Sequence, residues 1–250
     1  MHTEIVAAIR QYFQLNNCKR AVVGISGGID SALSAGLTAE AIGAGNLHAL
    51  IMPETGLTAK QNISDAIGLC KHLRIQYTVI PIDPMLDSFG RLPWRQARIA
   101  SMNTKSRIRS LLLYNYANSL NCLVIGTSNK TEIRLGYYTK YGDGAVDLEV
   151  IGSLYKTEVY RLAEKIGIPK SIIAKKPTAE LASGQTDEDE LGGSYDDIDA
   201  ILRLMDQGKG KDEIAGASND SNLVEAIIRR IRSTEHKRHM PPVILDKGLI

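Results

Sequence analysis

Residues 21–33 read Ala21-Val22-Val23-Gly24-Ile25-Ser26-Gly27-Gly28-Ile29-Asp30-Ser31-Ala32-Leu33, and apolar residues continue at helical spacing through Ala35, Gly36 and Leu37. This is a strand that turns sharply into a helix through a glycine-rich bend. Such a turn aims free backbone N–H groups and the positive end of the helix dipole at one point in space. Its glycines let the backbone approach a bulky anion and adopt conformations closed to other residues. Gly24, Ile25, Ser26, Gly27, Gly28, Ile29, Asp30 and Ser31 are therefore candidate ligands of a phosphate or pyrophosphate. No Gly-Lys-Ser/Thr follows, so this is not the usual P-loop. Asp30 stands where a bare anion site would not want negative charge, and a Mg²⁺ bridging carboxylate and phosphates accounts for it. The alternative is an ordinary tight strand–helix turn, where Gly and Ser are also common.

The pattern around this turn sets the fold class. Helical spacing at 3–16, 30–44, 58–73 and about 101–119 alternates with short apolar strands at 20–25, 47–52, 75–80 and 122–125. The strands are apolar on both faces, as buried parallel strands are. The alternation predicts an α/β fold, a doubly wound parallel sheet flanked by helices. In such sheets ligands bind beyond the carboxyl ends of the strands, so Gly24–Ser31, Met52-Pro53 and Gly126–Glu132 should converge on one crevice. Residues 126–149 are rich in Gly, Thr, Tyr and charge with little periodicity, which marks a functional loop region. Further helices are predicted at 154–166, near 194–207 and near 220–234, with a short turn at Asp212–Ala215 and an irregular stretch at 176–193. With no repeat or clear linker, the expectation is one domain over 1–250.

Composition narrows the partners. The net charge is +2, with acidic and basic residues interspersed, which argues against a dedicated nucleic-acid or membrane-surface binder. No apolar run reaches the roughly 18 residues of a membrane span. The N-terminal stretch with Ile5, Val6, Ile9, Tyr12 and Phe13 reads as an amphipathic helix and not a signal peptide. Cys18, Cys70 and Cys122 are widely separated and form no CxxC pair, the usage of a cytoplasmic protein with reduced thiols.

Ser26-Gly27-Gly28-Ile29-Asp30-Ser31 resembles the SGGxDS loop of the ATP pyrophosphatase superfamily, whose members transfer AMP to a substrate oxygen and release pyrophosphate. That loop is shared by GMP, asparagine and argininosuccinate synthetases, tRNA lysidine synthetase and sulfur-transfer enzymes. Other blocks are more selective: Asn103 through Arg109, Gly126-Thr127-Ser128-Asn129-Lys130-Thr131-Glu132, Gly136-Tyr137-Tyr138-Thr139-Lys140-Tyr141-Gly142-Asp143-Gly144 with Asp147, Pro177-Thr178-Ala179-Glu180-Leu181, Gln185 through Glu188 and His236-Lys237-Arg238. Together they resemble the NAD synthetase family over essentially the whole chain, in the family's order. One departure is Glu149-Val150-Ile151, where the family often has a proline; proline there would only stiffen a turn.

The resemblance implies an adenine nucleotide alpha hydrolase-like fold and amidation of deamido-NAD, with ATP as co-substrate and Mg²⁺ as cofactor. Glutamine-dependent members carry an added amidase domain; its absence here implies free ammonia, or ammonia from a separate amidase, as the nitrogen source. Asp30 and Glu132 become the expected metal ligands, with Asp30 and Lys156 central to catalysis. Thr127, Lys156 and Thr178 become ATP contacts, and Arg107, Lys140, Asp147, His236 and Lys237 contacts of deamido-NAD. By sequence alone Lys156 reads equally as an exposed helix residue, and Met52 as either a core residue or a neighbour of adenine. His236 and His239, with no third ligand nearby, do not make a zinc site. The family also implies a homodimer; the stripe Ile108, Leu111, Leu112, Tyr116 and Leu120 would otherwise mean core packing. Two competing readings are an ATP pyrophosphatase acting on another carboxylate or a nucleobase, and a non-catalytic nucleotide sensor. The second would leave a gap at the metal or lysine positions, which this chain does not have.

Overall fold

The computed structural model describes residues 1–176, 187–218 and 220–244. The chain runs α1 (His2–Leu15), β1 (Ala21–Gly24), α2 (Ile29–Ile42), β2 (Leu47–Ile51), α3 (Lys60–Leu73), β3 (Gln76–Val79), a short α4 (Asp83–Leu86), α5 (Arg98–Leu120), β4 (Leu123–Gly126), α6 (Lys130–Leu135) and β5 (Leu148–Glu149). It continues through α7 (Lys156–Lys165), α8 (Lys170–Ile173), α9 (Asp187–Leu191), α10 (Tyr195–Asp206), α11 (Lys211–Ala217) and α12 (Ser221–Ser233). The five strands are all parallel, in the order β3-β2-β1-β4-β5. The doubly wound sheet expected from the alternation is present. The chain moves outward from β1 in one direction through β2 and β3, then returns to β4 on the other side. The loops after β1 and β4 therefore part from each other and leave a crevice between them.

Alternation along the strands divides the core. Val23, Ala49 and Ile125 face a layer built from α1, α2, α3, α7 and α8, where Leu33, Leu37, Leu69 and Leu162 are buried. Val22, Leu50 and Val124 face α5, with Met52, Ile82 and Ile108. A third cluster sits away from the sheet, where Leu135 of α6 packs with Tyr195, Ile198, Leu202, Leu223 and Ile227.

Several details differ from the sequence reading, among them α6 and α9, which form inside stretches read as irregular. Only part of the α5 stripe is core: Ile108 is buried, while Leu111 is 68% exposed and Leu120 41% exposed. Strand β3 lies at the sheet edge and is largely exposed, so its apolar composition does not mean two covered faces. The irregular region 126–149 contains β5, and the turn near Asp212 is a full helix, α11. A strand of two residues is too short to show period-2 alternation. What creates β5 is tertiary: Val124 N–H donates to the Asp147 carboxylate (2.7 Å) and Asp147 N–H to the Val124 carbonyl (2.9 Å).

Among the described residues no helix is long and apolar enough to cross a membrane. Cys18, Cys70 and Cys122 are free thiols.

Candidate active site

The glycine-rich turn is held in shape by its own polar atoms. Gly28 N–H donates to Ser26 Oγ (3.2 Å), Ser31 Oγ donates to the Gly28 carbonyl (3.0 Å), and the two serine hydroxyls lie 3.2 Å apart. Gly27 has φ +87°, and a Cβ placed on it would lie 2.5 Å from the Asn62 carbonyl oxygen at the start of α3. The turn thus packs backbone to backbone against α3. Lys175 clamps this contact, donating to the Gly27 carbonyl (3.0 Å) and Asn62 Oδ1 (2.5 Å) while paired with Asp65 (2.6 Å).

This packing has a measurable consequence. Gly27→Ala combines a left-handed backbone with an overlap that no flexible side chain can relieve, a cost of about 2 kcal/mol or more. For a chain of this size the melting temperature should fall by about 5 °C. Gly45→Ala, with open space around the added methyl, should leave it unchanged; equal effects in a thermal unfolding assay would contradict the close approach.

Three helix starts converge beyond this turn. Asp30 is in the first turn of α2, Glu132 in the first turn of α6, and Lys156 opens α7. Lys156 is 1% exposed, so it is not a surface lysine. Its ammonium donates to Asp30 Oδ2 at 2.5 Å and lies 3.5 Å from Glu132 Oε1. Asn129 caps α6 through a reciprocal pair with Glu132 and also donates its amide to Asp30 Oδ1 (3.0 Å). The Lys156 ammonium lies 5.1 Å from the centre of the Tyr195 ring. Asp187, nearly buried, accepts from the hydroxyls of Tyr195 (3.1 Å) and Tyr137 (3.2 Å).

The electrostatics of this cluster follow from burial and charge count. Burial, reinforced by the Asp30 charge, pushes the Glu132 carboxyl up to about 8 despite Lys156. Burial also raises Asp187. Burial works against the Lys156 ammonium, but the charges of Asp30 and Glu132 outweigh it and hold the group protonated. Three carboxylates therefore share one lysine in a poorly solvated space. Asp30 and Glu132 carry hard oxygen donors, and a divalent cation completed by phosphate oxygens and water would offset their mutual repulsion and let Glu132 give up its proton. Among the described residues no three His, Cys, Asp or Glu side chains gather into a metal cage.

These groups line one cleft of about 500 Å³. Residues Gly24–Ser31, Met52, Thr127, Glu132 and Lys156 all border it, so the three expected strand-end segments do converge. Met52 serves both readings: it is 8% exposed in the core against α5 and also borders the cleft. Arg109 Nε donates to its carbonyl (3.0 Å). Thr178 lies outside the described residues.

Four of the residues expected to hold deamido-NAD meet on a neighbouring surface. Arg107 donates to the Lys140 carbonyl (3.2 Å), Lys140 Nζ to the His236 carbonyl (2.5 Å), and Lys237 Nζ to the carbonyls of Gly136 (2.7 Å) and Tyr138 (2.6 Å). The surface joins the cleft through Asp143, which borders it and accepts from Ser106 Oγ (2.6 Å) and Thr139 N–H (3.0 Å). Asp147 is placed differently. Its carboxylate accepts from Tyr114 Oη (3.1 Å) and Val124 N–H (2.7 Å), and its carbonyl from Tyr12 Oη (2.7 Å). Both oxygens are engaged inside the fold, and Asp147 does not border the cleft. The residue expected to accept from a ribose or amide thus also anchors β5, a structural role that the sequence did not suggest.

A family model described as NAD synthase matches residues 1–241. The chain belongs to the NAD synthase family. It is 47% identical to an NH(3)-dependent NAD(+) synthetase of Methanosarcina acetivorans, over 96% of this chain and 95% of the relative. To the corresponding synthetase of Archaeoglobus fulgidus it is 44% identical, over 92% and 90%. Among solved structures it resembles an NMN synthetase from Francisella tularensis (TM-score 0.87, 32% identity, 98% and 97% covered). It also resembles an NH3-dependent NAD synthetase from Campylobacter jejuni (TM-score 0.82, 34% identity, 97% and 96% covered).

Against this NAD synthase background, several site residues were not singled out from the sequence. Lys175 sits in a stretch with no periodicity, so nothing local marks it. Asp187 falls in the block Gln185 through Glu188 that resembles the family, and only the fold shows it buried near Lys156. Asp199 had a signal: it falls on the buried face of α10 beside Ile198 and Leu202, where a carboxylate needs partners. Glu149 ends β5 and folds back over Gly126, whose missing side chain leaves room; a Cβ there would be 2.2 Å from Glu149 Oε2. Ser128 N–H donates to that oxygen (3.1 Å), yet burial pushes the Glu149 carboxyl up to about 7. The folded state then binds its proton more tightly than the unfolded chain does. Its stabilising contribution is present in full below about pH 4.5 and is lost as pH rises through 7. Glu149→Gln keeps the acceptor for Ser128 and removes the titration, so the variant should gain up to about 3 kcal/mol over wild type between pH 5 and pH 8. Denaturant unfolding at the two pH values measures this; a difference that does not change with pH would contradict it.

Proposed function

We propose that this chain is an ammonia-dependent NAD synthetase that works as one unit over 1–250. The observation that carries the reading is the buried Lys156, held between Asp30 and Glu132 beside the glycine-rich turn, in a chain that matches ammonia-dependent relatives over nearly its whole length. Oxide is too poor a leaving group for a carboxylate to exchange oxygen for nitrogen unaided. The nicotinate oxygen attacks the α-phosphorus of ATP, the bond to the bridging oxygen breaks, and pyrophosphate leaves. Ammonia then adds to the acyl carbon of the adenylate, loses a proton, and AMP departs with the carbon–oxygen bond electrons.

Both steps move negative charge, so the protein works by positioning and by cationic donors. Gly27, Gly28, Ser26 and Ser31 cradle the pyrophosphate, and Lys156 neutralises it as it leaves. Asp30 and Glu132 would hold magnesium, which when bound supplies charge neutralisation on the phosphates. Thr127 stands beside the phosphates, and Met52 borders the adenine end. Arg107, Lys140 and Lys237 present cationic groups, and His236 its ring nitrogens, to the phosphates or carboxylate of deamido-NAD.

A homodimer belongs to the same reading, with exposed Leu111, Ile99 and Trp94 on α5 and the loop before it as its apolar contact. So does a cytoplasmic setting, in keeping with the free thiols. A separate amidase is compatible with it as the ammonia source.

The assay incubates purified protein with ATP, magnesium and deamido-NAD, with ammonium and with glutamine in parallel. NAD, AMP and pyrophosphate should form with ammonium. A parallel reaction with nicotinic acid mononucleotide addresses the likeness to an NMN synthetase; turnover of the mononucleotide in preference to the dinucleotide would revise the substrate. ADP as product would reject the adenylate route. AMP formed only with another carboxylate or a nucleobase would favour a different ATP pyrophosphatase.

A further inference from the structure

Helix α10 packs in the cluster away from the sheet, yet two of its residues, one turn apart, reach the active site. Tyr195 lies under the Lys156 ammonium, and Asp199 reaches the helices that carry Lys156 and Glu132. Asp199 is 1% exposed. One of its oxygens accepts from Thr131 Oγ1 (2.5 Å) and the other from Thr157 N–H (2.9 Å). The Thr131 hydroxyl in turn accepts from Lys156 N–H (3.0 Å). Thr131 adjoins Glu132 in α6, and Thr157 adjoins Lys156 in α7.

This relay has only one direction. The Thr131 hydroxyl has a single proton, which it gives to Asp199, leaving its lone pairs for Lys156 N–H. A carboxylate also satisfies N–H groups that the first turn of a helix leaves without partners. Neither oxygen of Asp199 is left over, and neither borders the cleft.

We propose that Asp199 is a positioning residue for phosphoryl chemistry: through Thr131 it sets the spacing between Glu132 and Lys156 and so the grip on the polyphosphate and its metal. Asp199 touches neither nucleotide nor ion. The inference rests on the proposed function for its kinetic readout, but not for its binding readout.

The test uses the full chain with Asp199→Asn, Thr131→Val and Thr131→Ser. Asparagine keeps the shape but turns a donor toward one of the two donors. Valine removes the hydroxyl at constant volume, and serine restores it. Asp199→Asn and Thr131→Val should each weaken magnesium-ATP binding, measured by calorimetry, by about tenfold and lower kcat by about tenfold or more. The KM for the pyridine substrate should stay within about twofold, and Thr131→Ser should match wild type. The double variant should be no worse than the more damaged single one, because both break one relay.

Magnesium-ATP affinity and kcat within about twofold of wild type, with only a lower melting temperature, would overturn the proposal. So would a loss confined to the KM of the pyridine substrate. If Asp199→Asn does not fold, the valine and serine pair decides alone. Wild-type protein that binds magnesium-ATP but forms no AMP with any pyridine acid would reject the proposed function, while the affinities would still test Asp199.

Discussion

Lys156→Met should produce a protein that is both less stable and nearly inactive, and the two losses have separate causes. Methionine matches the lysine stem but leaves Asp30 and Glu132 facing each other, with Asp187 close by, and no cation between them. Removing one partner of a buried ion pair costs about 3–5 kcal/mol. Protonation of Glu132, already pushed up by burial, relieves part of this, so the variant should recover stability as pH falls from 8 to 6. The activity loss has a different origin. A preorganised cation at the leaving pyrophosphate is worth about a hundred- to a thousandfold in kcat. Thermal unfolding across pH and single-turnover AMP formation measure the two effects independently. A variant as stable as wild type at pH 8, or one keeping a tenth or more of the AMP-forming rate, would contradict the central placement of Lys156.

Asp30→Asn should separate chemistry from folding. The amide keeps an oxygen to accept from Asn129 but turns its NH2 toward the buried Lys156 ammonium, so the lost ion pair lowers stability. Glu132, relieved of the Asp30 charge, then pairs with Lys156 alone and offsets part of that loss, so the melting temperature should fall by several degrees while the fold is kept. AMP formation should fall on the order of a thousandfold, because one of two hard carboxylates for the metal is lost. Raising the magnesium concentration should recover only part of the rate. Stripping metal from the wild type with a chelator should give the same loss, reversed by added magnesium. Full activity in Asp30→Asn would leave Glu132 as the sole carboxylate that matters and would remove Asp30 from the metal site.

Much of the fold was legible because its signals are local. Helix positions followed from spacing, and most predicted ends fall within about two residues of those observed, as fraying and capping allow. β5 was not legible, since two residues carry no period and its existence depends on Asp147 bonding to Val124. The α5 stripe misled for another reason. Apolar spacing identifies a face but not what covers it, and Leu111 belongs to a face left open within one chain.

The site divides in the same way. The glycine-rich turn was read correctly as a backbone device, because φ at Gly27 and the N–H groups at the start of α2 are dictated by adjacent residues. Lys156 was ambiguous in the sequence and is decided by burial. Asp147 was assigned to ligand through resemblance, and the structure adds hydrogen bonds that tie it to β4. Lys175 carried no sequence signal, since a charged residue in an irregular stretch is usually solvated, and Asp187 was marked only through the family block Gln185 through Glu188, with no role attached to it.

The sequence by itself determined the parallel α/β architecture, the glycine-rich strand–helix turn and the order of the motifs along the chain. Those depend on backbone preferences and hydrophobic spacing, which act over a few residues. The tertiary structure alone decided which charges share a solvent-poor space. Lys156 meets Asp30 across 126 positions of sequence, and the Thr131–Asp199 bond spans 68. Charge interactions strengthen as water is excluded, and water is excluded only after the layers have packed.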